Sequence, residues 1–448
     1  MSLLKQAKVS LKWLFPGLKI KRWLFLAFFG ISLVTAGVAI ISDVQLELSH
    51  YFRGTSSPVA TGAFLIVMGI ILLIIGFRRM IRSLIGVILP GSENNLADLV
   101  FHKRQLKRGP KIVVIGGGTG LGVLLRGLKE YTSNITAIVT VSDDGGSSGR
   151  LRGELGILPP GDTRNCLLAL ADTESLMEDL FNHRFQEGAG LKGHNVGNLL
   201  LAAMTELTGD FNKAIQEVSK VLAIRGQVLP VTLTHVTLVA KTASGKIIRG
   251  ETKITSSGIA IEKINLEPNQ VEPLPEAIAA IEEADAIVLG PGSLYTSVIP
   301  NLLVKGIPEA LARSKAPVIY VCNVMTQPGE TLRYSASQHI KALINHAGKN
   351  VIDYVIANTQ PISVEMMNKY GAEGAYPVKV DQSVISSLGV KLIKADLVNQ
   401  YNLVRHDSEK LANVIIELII KMKASDPLGL LEIYLNSGKQ RAKEMGKH

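Results

Sequence analysis

Lys111 to Tyr131, "KIVVIGGGTGLGVLLRGLKEY", decides the fold. It opens with an apolar run too short and too uniformly apolar for a one-sided strand, as expected of a strand buried on both faces. Five glycines in seven residues follow, and the rest of the stretch is an amphipathic helix. Ile135 to Val141, "ITAIVTV", is the next β-branched run. Strand, glycine loop, helix and strand make a βαβ unit, and therefore a parallel sheet covered on both sides.

Further runs extend that sheet: "AIVLG" from Ala286, "PVIYVCN" from Pro317, "VIDYVIAN" from Val351 and "VKLIKADL" from Val390. Between them "PLPEAIAAIEEAD" and "ASQHIKALINHA" have helical spacing. The segment Val228 to Ile261 alternates and carries a Ser-Gly turn, which predicts an antiparallel hairpin inserted in the sheet or at its edge. From Ser408 the chain reads as helix and then as a basic polar tail. The expected fold is α/β, Rossmann-like, with a mainly parallel sheet, helices on both faces and an inserted antiparallel hairpin.

Ahead of this domain stand two uncharged 20-residue runs, Trp23 to Ser42 and Pro58 to Phe77. About 20 residues at 1.5 Å each cross a hydrocarbon core of about 30 Å, so each run is long enough to span a membrane as a helix. Lys19, Lys21 and Arg22 precede the first run, Arg78, Arg79 and Arg82 follow the second, and the loop between holds Arg53 with Asp43 and Glu47. The positive-inside rule places both ends, and the main domain, on the cytoplasmic face of the cell membrane. Gly30 and Gly37 lack the GxxxG spacing that marks helix pairing. The expected organisation is a hairpin over 1–82, a basic juxtamembrane linker over 83–110, the α/β domain over 111–430 and a basic tail over 431–448.

The chain carries a net charge of +10, but residues 1 to 110 hold 14 Lys and Arg against 4 Asp and Glu, and residues 111 to 448 are neutral. The basicity belongs to the membrane end, which removes the support for a nucleic-acid partner. Cys166 and Cys322 have no CxxC spacing, in keeping with a reducing compartment.

Gly116, Gly117, Gly118, Gly120 and Gly122 sit between strand and helix, where free N–H groups and absent side chains favour a phosphate. No Gly-Lys-Ser/Thr follows, and Leu121 and Val123 break the G-x-G-x-x-G register, so neither a P-loop nor an ordinary dinucleotide site fits. Some 20 residues on, "VSDDGGSSGRLR" supplies Asp143 and Asp144, suited to a ribose diol or to Mg²⁺, with Ser147, Ser148, Arg150 and Arg152 behind them. In "PPGDTRN" Arg164 is available for phosphate, and capping a helix would account for Asp162. "GHNVGNLLL" brings His194, Asn195 and Asn198 to a helix start. "GPGSLYTSVIPN" brings Gly292, Ser293, Tyr295, Thr296 and Ser297, and "CNVMTQPGET" brings Asn323, Thr326, Gln327 and Glu330.

In this order, "IGGGTGLG" and the five motifs after it resemble the gluconeogenesis factor family (YvcK-type proteins), within the superfamily of 2-phospho-L-lactate transferase (CofD-like). The resemblance runs from about Lys111 to about Leu430. It implies a Rossmann-like fold and a cleft for a UDP-sugar of the UDP-N-acetylglucosamine kind. It also implies a role in growth on gluconeogenic carbon, in cell-wall (peptidoglycan) precursor supply and in cell shape, without a settled activity. Carried over, Gly116, Gly117, Gly118, Thr119 and Gly120 take the diphosphate and Asp143 and Asp144 face the nucleotide or a metal. His194, Asn195 and Asn198 line the cleft, and Tyr295 and its neighbours contact the nucleotide sugar. Where the transferases resemble "PDxDT" this chain has "PPGDT", without the first acid, which argues against turnover. A binding regulator needing no cofactor is therefore expected, with an unidentified protein partner at the membrane and self-association left open. The alternative is a Mg²⁺-dependent transferase using Asp143 or Asp144.

Overall fold

The computed structural model describes residues 21–42, 58–88, 96–172, 175–399 and 404–422. The expected tail over 431–448, the hairpin loop with Asp43, Glu47 and Arg53, and Lys19 lie outside the described residues. Contacts divide the chain into two units, Met1–Lys103 and Arg104–His448.

The larger unit contains β1 (Ile112–Gly116), β2 (Ile135–Val139), β3 (Gln227–Pro230), β4 (Thr237–Thr242), β5 (Ile247–Arg249), β6 (Ile261–Glu267), β7 (Ala286–Leu289), β8 (Val318–Val321), β9 (Tyr354–Asn358) and β10 (Lys391–Ala395). Seven of these form one sheet in the order β10-β9-β8-β7-β1-β2-β3, with every pairing parallel. All residues of β1, β2, β7 and β8 are buried, so both faces are covered, which is why their sequences do not alternate. The helix Gly118–Leu128 packs against the helices Gly161–Leu170 and Ser408–Met422. Its Gly127 has no room for a side chain, because the backbone of Ser408 and the methyl of Ala412 lie directly against it.

Strand order reverses between β1 and β7. Loops leaving the carboxyl ends of these two neighbours turn opposite ways, and the crevice between them is where open α/β sheets take ligands.

The expected antiparallel hairpin is present as β4 and β5 about the Ser244-Gly245 turn, while the rest of the inserted segment differs from its reading. Gln227–Pro230 is the edge strand of the parallel sheet, paired with β2. The antiparallel part is three-stranded, in the order β5-β4-β6. "GETKI", expected as strand, turns at Gly250, whose φ is 95°, into the helix Glu251–Ser256. Asp144 fixes that helix by accepting from the N–H and hydroxyl of Thr252 at 2.9 and 2.7 Å. A short ribbon of β11 (Val398–Asn399) and β12 (Arg405–His406) leads into the last helix.

The smaller unit holds the helices Lys21–Ile41 and Pro58–Ile88, both long and apolar enough to cross a membrane. The second outruns the expected span by 11 residues. Here the expectation from glycine spacing fails. A methyl on Gly30 would lie 2.7 Å from the Gly69 carbonyl oxygen, and one on Gly37 2.6 Å from that of Gly62. A methyl on Gly76 would meet Ala27 N at 2.9 Å. Gly62, Gly69 and Gly76 repeat every seven residues, as do Gly30 and Gly37. Two turns of helix separate them, so the glycines stay on one seam at the shallow crossing that a heptad imposes. Phe25, Phe28, Phe64 and Phe77 face outward, and the Arg79 guanidinium lies 5.0 Å over the Trp23 ring, a cation–π contact.

Candidate functional site

At the crevice the loops after β1 and β7 meet backbone to backbone. A methyl on Gly120 would sit 2.9 Å from the Pro291 oxygen and 3.2 Å from Gly292 Cα, so only glycine permits the approach. Gly118 has φ +69°, a conformation that favours glycine. Gly117, which precedes the helix Gly118–Leu128, offers no side-chain cap, leaving first-turn N–H groups for a ligand. Asp162 accepts the Gly118 N–H, and its carboxylate lies 2.5 Å from where a Gly117 side chain would start.

The cleft above this loop has a volume of about 480 Å³, within the range of small-ligand sites. The loop after β8 forms the opposite wall and is tied to the β7 loop by side chains. Gln327 donates to Ser293 Oγ at 2.8 Å, and Asn323 donates to Gln327 at 3.3 Å. Arg405 and His406 close the far end. Burial holds the His406 imidazole at about 4, hence neutral, and its buried Nε2 has no partner.

Carboxylates dominate the electrostatics. Asp143, Asp162, Glu251 and Glu373 line the cleft against one arginine, Arg405. Burial, then the Asp143 charge, pushes Asp162 up to about 7. Burial, then Asp143, Asp162, Glu330 and Asp144, pushes Glu251 up to about 9. Behind the wall, burial raises Glu330 to about 7, although it accepts from Tyr295 N at 3.2 Å and Thr296 Oγ1 at 3.1 Å. Protonated acids near neutral pH lower the repulsion toward an anionic ligand.

Of the residues singled out in the sequence, Gly117, Gly118, Thr119, Gly120, Asp143, Asp162, Gly292, Ser293, Ser297, Asn323, Thr326 and Gln327 line the cleft. Gly116 ends β1, its carbonyl oxygen held by Thr140 N and Asn301 Nδ2. The adjacent aspartates diverge: Asp143 caps Gly145 N at 2.9 Å at the cleft edge, while Asp144 serves the helix at Thr252. Tyr295 is buried, its hydroxyl 3.0 Å from that of Tyr334, and Thr296 is spent on Glu330. Both brace the π-helical turn Leu294–Val298 from behind.

Asp162 is no helix cap: the helix Gly161–Leu170 begins one residue earlier without a side-chain cap, and the carboxylate faces the glycine loop instead. The acid of "PDxDT" falls on Pro160 and not on Gly161, which has no room for a side chain of its own. A side chain there would start 3.1 Å from Asp143 Oδ2 and against Ser148 Oγ. Glu251, Arg405 and His406 escaped the sequence reading. The signal for the last two was "RHD" before the final helix, whereas Glu251 sits in the inserted segment with no local motif.

The other predicted residues form a separate cluster. Ser147 Oγ lies 3.0 Å from His194 Nδ1. Arg150 donates to Lys192 O at 2.8 Å and Arg184 to Gly193 O at 2.6 Å. Arg164, Asn195 and Asn198 are buried beside them, and none of these lines the cleft. Burial first, then the Arg150 guanidinium, lowers His194 below its ordinary value.

Mg²⁺ takes one or two carboxylates together with phosphate oxygens and water. Asp143 and Asp162 beside the glycine loop fit that demand. Among the described residues no group of three or more His, Cys, Asp or Glu forms an all-protein metal cage.

The profile of the 2-phospho-L-lactate transferase CofD family matches residues 112–398. A Nostoc sp. protein is 49% identical over 418 residues, 91% of this chain and 92% of its own. The "Gluconeogenesis factor" of Bacillus subtilis is 52% identical over 311 residues, covering 69% of this chain and 98% of itself, so the larger unit exists elsewhere as a whole protein. A crystal structure of a Bacillus halodurans protein aligns with TM-score 0.68 at 51% identity, over 69% of this chain and 100% of that one. With its βαβ glycine loop, switch-point cleft and ordered motifs, the chain belongs to the gluconeogenesis factors, a branch of the CofD family.

Proposed function

We propose that this protein is a membrane-tethered regulator that binds a UDP-sugar and reports cell-wall precursor supply to carbon metabolism and cell shape. The observation that carries this is the interlocked glycine contact of Gly120 with Pro291 and Gly292. It places uncapped N–H groups at the floor of a cleft large enough for a nucleotide. In this reading Gly117 to Gly120 bind the diphosphate, and Asp143 and Asp162 would hold Mg²⁺, which when bound neutralises it. Arg405 and His406 offer a cation and a neutral acceptor at the other end. In this reading the paired apolar helices anchor the chain in the cell membrane with the larger unit cytoplasmic, and Arg22, Arg78, Arg79 and Arg82 at their ends support that orientation. Ligand binding orders the "VSDDGGSSG" and "TQPGET" loops for a membrane partner.

A second reading, a transferase moving a phosphorylated group from a nucleotide diphosphate, has one observation in its favour. Burial pushes Asp162 up to about 7 and Glu251 up to about 9, so both are able to hold a proton near neutral pH and exchange it with a substrate hydroxyl. Thermal shift of residues 96–448 with UDP-sugars tests binding, since a ligand at 100 times its Kd stabilises by about 2.7 kcal/mol. Recovery of the nucleotide intact supports the regulator. Product formation that Asp143→Asn abolishes establishes the transferase.

A further inference from the structure

We infer that Glu251 is a specificity-determining residue of the cleft, where it takes the hydroxyls of a sugar ring of the ligand, and that Asp144 is the residue that positions it. The inference rests on the nucleotide-sugar reading of the cleft.

Glu251 opens the helix Glu251–Ser256, which the inserted segment delivers to the cleft and which is fixed on both sides. On one side Asp144 Oδ1 accepts from Thr252 N at 2.9 Å and from Thr252 Oγ1 at 2.7 Å. A side chain on Gly250, just ahead of the helix, would start against Asp144 Oδ2, so glycine is what lets the carboxylate come this close. On the other side, a side chain on Gly329 would start against the Thr255 carbonyl oxygen, which sets the helix directly on the loop after β8. Ile254 is fully buried and anchors the inner face. Residues three apart on a helix share a face, so Glu251 is turned inward with it. The helix thus bridges two walls of the cleft and carries Glu251 into it.

The surroundings of Glu251 select the ligand group. Among the described residues its carboxyl group makes no hydrogen bond and no ion pair, although it is drawn out of water, and the charges acting on it are those of Asp143, Asp162, Glu330 and Asp144. A desolvated polar group without a protein partner is costly, and a ligand group that pairs with it removes the cost. These acids repel a further anion. A neutral hydroxyl suits either charge state, because it donates to a carboxylate and accepts from a carboxylic acid. Two carboxyl oxygens span two vicinal hydroxyls of a sugar ring, as acids do at the ribose of dinucleotide sites. A nucleotide sugar offers such a pair in two places, on its ribose and on its second sugar.

The test is calorimetry on residues 96–448 in Mg²⁺ with UDP-glucose, UDP and 2′-deoxy-UDP. The step from UDP to UDP-glucose reads the second sugar, and the step from 2′-deoxy-UDP to UDP reads the ribose. The wild type is expected to gain about tenfold or more in affinity at one of these steps, as hydrogen bonds to a carboxyl group provide. Glu251→Ala is expected to bring that step within about twofold while the ligand lacking the hydroxyls still binds. Glu251→Gln, whose amide both donates and accepts, keeps part of the preference. Glu251→Asp, one methylene shorter, reports the same loss should Glu251→Ala not fold. Asp144→Ala removes the same preference, and combined with Glu251→Ala it costs no more than Glu251→Ala alone, since it acts through that residue. Lys253→Ala, on the exposed face of the same helix, leaves both steps unchanged. A preference that survives Glu251→Ala, or an equal loss for all three ligands, overturns the assignment and leaves the nucleotide-sugar reading intact. Additive losses from the two substitutions overturn the positioning role of Asp144. Absence of binding of any of the three ligands by the wild type overturns the nucleotide-sugar reading and the assignment with it.

Discussion

Nucleotide-sugar affinity measured without Mg²⁺ will depend on pH, and the structure fixes the sign. The diphosphate of a nucleotide sugar keeps its charge throughout the neutral range, so any titration there comes from the protein. Asp162, at about 7, lies beside the glycine loop with Asp143 and Glu251; the fixed charge of Arg164 acts against its shift, and Arg405 and neutral His406 keep their charge states across this range. A diphosphate binds the protonated form of Asp162 more tightly than the carboxylate. Between about pH 6 and about pH 8 the protonated fraction of a group titrating near 7 falls roughly tenfold, so affinity falls by up to that factor, about 1.4 kcal/mol. Mg²⁺ reverses the preference, because it needs the carboxylate, and flattens or inverts the slope. Calorimetry of residues 96–448 with UDP-N-acetylglucosamine at three pH values, with and without Mg²⁺, reads this directly, and Asp162→Asn should abolish the pH dependence. Affinity constant across the range without the metal, or a slope that survives Asp162→Asn, would refute the reasoning.

Gly120→Ala forces a methyl into the Pro291 and Gly292 backbone; thermal unfolding should show a loss of about 1–3 kcal/mol, and calorimetry the loss of UDP-sugar binding. Glu330→Ala leaves the N–H of Tyr295 and the hydroxyl of Thr296 without an acceptor, at a cost of about 2 kcal/mol or more in denaturant unfolding. Because burial raises Glu330 to about 7, its protonated form is the stabilising one; stability falls as pH rises from the unfolded carboxyl value through about 7, and Glu330→Gln removes that slope. Gly69→Leu drives the two apolar helices apart at Gly30, which should change the electrophoretic mobility of the isolated hairpin in detergent, while Leu72→Ala, with no glycine contact, should not.

The sheet was legible because its information is local. Buried parallel strands are uniformly apolar, and the glycine loop announces itself within seven residues, so β1, β2, β7, β8, β9 and β10 fall where the sequence puts them. Gln227–Pro230 was merged with the insertion, since a four-residue edge strand and a hairpin strand have the same composition and only pairing with β2 separates them. In the hairpin, the glycines pair at seven-residue spacing, which the GxxxG pattern does not describe.

The site was half legible for a related reason. Motifs identify loops but not which way each side chain leaves the loop. Asp143 and Asp144 are adjacent, yet one meets the cleft and the other caps Thr252. Arg164 lies in a motif that borders the cleft through Asp162, yet its side chain gathers behind it with those of His194 and Asn195, whose motif does not reach the cleft. Glu251 enters from an inserted segment more than 100 residues from the Asp143 loop, and no spacing rule connects them.

Calorimetric titration of residues 96–448 with UDP-N-acetylglucosamine in Mg²⁺, followed by chromatography of the recovered nucleotide, tests the central claim most directly. Saturable binding with the nucleotide recovered intact is the predicted result. Neither heat nor thermal stabilisation with any UDP-sugar would contradict the nucleotide-sugar site, and conversion of the nucleotide would contradict the regulator.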